Sequence, residues 1–298
     1  MPSFTNLINE KNKRLDSVPL ALQTTVQKQQ KKVLSNVLKQ INKLEINKAG
    51  ELIINAANLK EISKISDELK SIFLNEEYLT AVKEFGNEFN IQSSLNSKLI
   101  KKGFGETANP VAAKEYINLA KKKSIESLVN ENMFVKPISD ILETSVVNGA
   151  SVSEVINSIT TFVEGNGEVE GKILKYVKQI TNDSFAIADR SYTSIVSDEL
   201  GNDWFYFAGG EVENTRCFCE KRVGHYFHYK EIESWGRGEN LEDCNIGNGM
   251  WAGEIQGTNE ATIYSYLGGY NCMHSLMPVS EDIVDEADYN SAKSKGYL

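Results

Sequence analysis

Between Thr24 and Leu44 the apolar residues Val26, Val33, Val37, Leu38, Ile41 and Leu44 recur at three- and four-residue steps, with lysines and glutamines between them. That period predicts an amphipathic helix, one stripe buried and the other wet. Pro19 precedes the pattern and Gly50 follows it, so the helix is expected to start after the proline and stop before the glycine. No proline lies between Pro19 and Pro110, and helical spacing continues through Leu59, Ile62, Ile65, Leu69, Ile72 and Phe73, then Tyr78, Leu79, Val82, Phe85 and Phe89. Residues 20–100 are therefore expected to form three or four helices, packed as a bundle or a long hairpin. The run from Lys101 to Pro110 holds two glycines, an asparagine and a proline, and reads as a loop.

Helical patterns resume from Val111 to Asn130 and again from Pro137 through Ile138, Ile141, Leu142 and Val146. Gly149 can end that helix, and Ser151 with Glu154 three positions on predicts a capping box for the next one. The stretch Gly165 to Gly171 reads as a turn, and a long helical pattern then runs from Lys172 to Leu200, ended by Gly201. After it the character changes. Trp204, Phe205, Tyr206 and Phe207 crowd into one short run closed by Gly209 and Gly210, which predicts a strand. From there to Pro278 helical periodicity is largely lost, apart from one short helix expected over Phe227 to Trp235. The last residues are acidic and then polar, and are expected to fray or to drape on a partner.

The fold class that follows is mainly α: a helical N-terminal body followed by a small C-terminal α+β module rich in cysteine, histidine, glycine and aromatic residues. Its expected segments are 1–105 and 106–201, both helical, the module at 202–280, and an acidic and polar tail at 281–298. No internal repeat with a period of 20 to 50 residues is visible.

Composition narrows the function classes. With 298 residues, 41% hydrophobic and 24% charged, the chain can bury a full core, unlike a disordered protein. No stretch has the length and apolarity of a membrane span, and the N-terminal residues lack the apolar run of a secretory signal, so no membrane partner and a reducing cytoplasm are expected. In that compartment four cysteines read as thiols or metal ligands and not as disulfides. A net charge of -9 argues against coating nucleic acid with the whole surface. The charge is uneven: residues 1–50 are predominantly basic and residues 211–298 predominantly acidic, as expected of ends that face different partners or of a solvated basic helix face.

All the cysteines and histidines fall between Arg216 and Ser280: Cys217, Cys219, His225, His228, Cys244, Cys272 and His274. Cys217 and Cys219 form a Cys-x-Cys, and Cys272 with His274 forms a Cys-x-His. Two such pairs brought together would make a structural zinc site at Cys217, Cys219, Cys272 and His274, stapling a module with little core of its own. The competing reading has the three cysteines as small buried apolar residues and His274 bonded to the backbone. Cys272 with His274 or His225 also offers a nucleophile and a base, but no oxyanion hole is marked. Glu231, Glu233, Glu239, Glu242 and Asp243 could hold magnesium, although so dense a run beside glycines reads as a solvated loop. His225 and His228, set among aromatics, read as packing or hydrogen-bonding groups. The basic face Lys28, Lys31, Lys32, Lys39 and Lys43 could touch DNA phosphates or an acidic partner; no aromatics are interleaved to read bases.

The features from about 151 to 280 resemble, in order, the phage head-morphogenesis family typified by the F protein of phage Mu. They are Arg190 on a helix, Trp204 opening a strand, the turn Thr215 to Cys219, Gly224 and Phe227, then Asn271 to His274 before Pro278 and Val279. The chain departs from the family pattern where one residue and not two separates Cys217 from Cys219, and where Met273 stands in the usual place of an arginine. The resemblance implies a minor head protein of a tailed phage, low in copy number, made in the host cytoplasm and carried in the virion head near the portal. Portal or capsid proteins are its implied partners, and packaged DNA in some members; no catalytic activity is implied. Two other expectations stand beside it, a virion-carried hydrolase or toxin-like enzyme using the Cys/His module and a DNA-binding accessory factor.

Overall fold

A computed structural model of the chain describes residues 4–104 and 111–298. Seven helices come first: α1 (Phe4–Ile41), α2 (Ala56–Phe73), α3 (Glu76–Phe104), α4 (Val111–Leu128), α5 (Val135–Val147), α6 (Val152–Val163) and α7 (Lys172–Glu199). The C-terminal region then interleaves β1 (Trp204–Ala208), α8 (Cys217–Glu220), β2 (Tyr226–His228), α9 (Tyr229–Gly236), α10 (Ile263–Tyr266), β3 (Ser275–Val279) and α11 (Glu286–Ser294). The protein is thus mainly α with a small α+β module at its C-terminal end. The chain divides into two compact units, one of residues 1–18, 86–123 and 181–298, the other of residues 19–85 and 124–180.

In the second unit, α2 buries Ile62, Ile65, Leu69 and Phe73, the stripe its spacing predicted. That stripe packs on α5, which buries Ile138, Leu142 and Val146, and the seam carries a hydrogen bond between the Ser66 and Ser139 hydroxyls at 2.6 Å. Phe73 stacks on Phe134 with centroids 5.0 Å apart, and the buried Tyr78 hydroxyl donates to the Leu128 carbonyl at 2.7 Å. Burial pushes the Tyr78 phenol well above its usual range, so it stays a neutral donor. The capping box at Ser151 and Glu154 forms as expected, both reciprocal bonds being present.

Two expectations change. Helix α1 starts at Phe4 and passes through Pro19 instead of beginning after it. Proline removes one backbone bond and crowds the preceding turn. Here the apolar stripe continues across it, with Leu7, Leu15, Leu22, Val26 and Val33 all buried, and packing of that stripe offsets the lost bond. The helix ends at Ile41, before Gly50 as expected, and Gly50 takes φ +82° in the turn between Ile46 and Leu52. Of the loop expected from Lys101 to Pro110, Lys101 to Phe104 form the end of α3, and 105–110 lie outside the described residues.

The module's sheet is antiparallel, ordered β2, β1, β3, with Phe205 opposite Phe227 and Pro278 in register. Alternation along β1 and β3 sends Phe205, Phe207 and Leu276 into a core shared with Phe218, Ile232, Trp235, Trp251, Ile263 and Leu267. Ala208 and Met277 face the other way, onto Leu7 of α1 and Leu95 and Leu99 of α3. The tail is not frayed: α11 packs on β2, Tyr289 stacks on Trp204 at 5.8 Å, and Lys295 pairs with Glu231 at 2.6 Å. Polarity alone does not reveal this, because what holds the tail is one aromatic stack and one buried carboxylate partner.

Candidate metal centre

Helix α7 supplies the rigid side of the centre. Arg190 is only 2% exposed, and all its described bonds go to main-chain oxygens: Nε to Ser265 at 2.6 Å, and one terminal nitrogen to Cys272 at 2.7 Å and His274 at 3.1 Å. Two turns N-terminal on the same helix, the Asp183 carboxylate accepts the Asn271 amide at 2.5 Å. The segment 271–274, which leads into β3, is therefore held by charged groups at both ends. A planar guanidinium suits this because it offers several donors in a fixed plane.

On that irregular segment Cys272 and His274 are two residues apart and their side chains converge, with Sγ to Nδ1 at 3.7 Å. Cys219 reaches them from α8, its Sγ 3.8 Å from that of Cys272. The three donor atoms all lie within 4.8 Å of one another, and all three residues are buried, so they could hold a metal ion. The imidazole is oriented for this. Its Nε2 lies 3.1 Å from the Gly210 carbonyl, which can only accept, so Nε2 carries the proton and Nδ1 turns its lone pair to the thiols.

The thiols are electrostatically unequal. The hydrogen bond from Cys219, with His274 and Arg190 nearby, holds the Cys272 thiol well below its usual range against the opposing effect of burial. The same hydrogen bond, together with burial, pushes Cys219 up.

Two glycine pairs make room for the cluster. A Cβ on Gly268 would sit 2.3 Å from the Cys219 sulfur and 2.9 Å from that of Cys272, and a Cβ on Gly209 would sit 2.3 Å from the His274 ring. Leu267, fully buried, takes φ +43°, a conformation that glycine adopts freely and leucine does not. The Gly269 amide closes that turn onto the Tyr266 carbonyl at 2.9 Å, which places bare Gly268 against the sulfurs. Arg216 braces the same loop, donating to the carbonyls of Gly268 at 3.2 Å and Tyr270 at 2.6 Å. Beside the cluster opens a cleft of about 410 Å³, lined by Cys219, Cys272 and His274 with Asp16, Thr215 and Asn271 among others.

Cys217 does not join the cluster. It is disulfide-bonded to Cys244, their Cα atoms 5.4 Å apart, so the expected four-residue set loses a member and the expectation of four thiols fails for this pair. The cause is local structure. Cys217 and Cys219 sit on helix α8 and not on an extended strand, and residues two apart on a helix point to nearly opposite sides. Cys219 turns inward to Cys272, Cys217 outward to Cys244.

The other candidates disperse. His228 caps α9, its Nδ1 accepting from the Lys230 amide at 3.4 Å, and His225 bonds Asp288 at 3.1 Å, so both are hydrogen-bonding groups as expected. Glu231 is taken by Lys295 and Glu239 by Arg237, and among the described residues the acidic run Glu231 to Asp243 forms no metal-capable group. Lys28, Lys31, Lys32, Lys39 and Lys43 are all exposed, but Lys32 is paired with Glu77 at 2.8 Å and Lys43 lies 4.0 Å from Glu61. Among the described residues no helix is long and apolar enough to cross a membrane. Comparison with known proteins returned no matching family model, no matching curated protein and no matching solved structure.

Proposed function

We propose that this chain is a structural assembly protein and not an enzyme: a minor head protein of a tailed phage, acting near the portal vertex in few copies. The observation that carries the reading is what Arg190 does. The arginine that begins the ordered series of resembling features braces the carbonyls of Cys272 and His274, near its end, so the two ends of the series meet in one folded module. The features between have architectural partners as well. Gly224 donates its amide to the Phe207 carbonyl at 3.0 Å, and Trp204 and Phe205 pair with Val279 and Pro278. Co-expression with portal and capsid proteins tests the reading. The chain should co-sediment with portal rings and be found in purified heads; its absence from both would sink the proposal.

The metal in this reading is zinc, in a role that ties α8 to the segment before β3. Zinc bonds of about 2.3 Å to sulfur and about 2.05 Å to nitrogen give tetrahedral edges of about 3.8 Å (sulfur to sulfur) and about 3.6 Å (sulfur to nitrogen). The separations here are 3.8 Å and 3.7 Å. Elemental analysis of purified protein should find one zinc per chain, lost in Cys272→Ser.

A further inference from the structure

Resting on the zinc reading, we propose that the centre is coordinatively open: its fourth position faces the cleft and takes one monodentate nitrogen, sulfur or oxygen donor from outside the fold. Closed structural zinc sites use four protein donors, whereas three donors leave a position for water or another ligand. Among the described residues only Cys219, Cys272 and His274 converge, and Cys217, the nearest candidate in sequence for a fourth, is tied to Cys244.

The walls say where the open side lies. A Cβ on Gly268 would collide with both sulfurs and one on Gly209 with the imidazole edge, and the Phe207 ring lies 5.5 Å from that of His274. The cleft remains, and about 410 Å³ is ample for a donor of imidazole size with its hydration. Liquid water occupies about 30 Å³ per molecule, so a dozen or so would fill the same space. Two thiolates and a neutral imidazole cancel the charge of a divalent ion, so a neutral fourth ligand completes the site with no net charge, whereas a monoanion leaves one negative charge to be met by solvent in the cleft. Asp16 lines the same cleft but is not among the donors within 4.8 Å, and it is the internal rival for that position.

Cobalt substitution of the full chain tests this, with Co²⁺ alone as the first probe and imidazole and azide added afterwards. Binding should give thiolate-to-cobalt charge-transfer absorbance, falling by about half in Cys219→Ser because one of two thiolates is gone. The visible d–d bands should then shift saturably with imidazole or azide, and equally in Asp16→Asn. No cobalt binding would remove the zinc reading and this inference together. Cobalt bound with bands insensitive to both ligands, or bands already altered by Asp16→Asn alone, would overturn only the open position.

Discussion

Lys11 and Asp189 form an ion pair at 3.0 Å in which both side chains are fully buried. Gln92 and Asn96 donate to the other carboxylate oxygen at 3.0 and 2.8 Å, and the Lys11 ammonium also meets the Met277 sulfur at 3.4 Å. At 3.0 Å and an effective dielectric of about 20, the gross attraction is about 5–6 kcal/mol. Lys11→Met keeps the stem that packs there and removes the charge, stranding a buried carboxylate with only its two amide donors. Breaking one side of such a pair costs about 3–5 kcal/mol, whereas removing both charges costs far less. Lys11→Met/Asp189→Asn should therefore return to within about 1–2 kcal/mol of the parent.

The assay follows from composition. All three tryptophans, Trp204, Trp235 and Trp251, lie in the same compact unit as this pair, so their fluorescence in a urea titration reports that unit. With a slope of about 2 kcal/mol per molar urea, Lys11→Met should lower the midpoint by roughly 1.5–2.5 M. A loss under about 0.5 M, or a double variant no better than the single, would refute the claim that an uncompensated charge is what destabilises.

The Cys217–Cys244 disulfide spans a sequence separation of 27, for which loop-closure entropy predicts about 3.5 kcal/mol. Cys217→Ser/Cys244→Ser should show that loss in the same titration, reducing agent should reproduce it in the parent, and the variant should not respond to reductant. Burial lowers the His228 pKa, so on acidification below about 6.5 the unfolded chain takes up this proton first and stability falls with pH. His228→Asn keeps an acceptor for the Lys230 amide and should lose less stability than the parent between about pH 6.5 and pH 5.5; equal losses would remove the assignment.

The helical body was legible because its information is local. The stripe Ile62, Ile65, Leu69 and Phe73 repeats at the helical period and is buried in α2, and Ser151 with Glu154 caps α6 through atoms three residues apart. The strand at Trp204 announced itself in the same way, by an aromatic run closed by two glycines. Pro19 shows where local rules stop, since whether a proline ends a helix depends on what the flanking turns bury.

Of the centre, the sequence alone determined which residue types were available and that Cys272 and His274 could act together, two residues apart. It also held an unread signal: Gly209 and Gly268, each in a glycine pair, mark where a neighbour's side chain comes too close for a Cβ. Only the tertiary structure decided which cysteine pairs with which. Four cysteines allow several partitions, and the choice turned on α8 being helical, which sends Cys217 and Cys219 to opposite sides. Tertiary structure likewise brought Arg190 across 82 residues to the Cys272 carbonyl and Lys11 to Asp189. Such contacts leave no period in the chain, because what selects them is burial of charge and main-chain oxygen, a property of the assembled core and of no single segment.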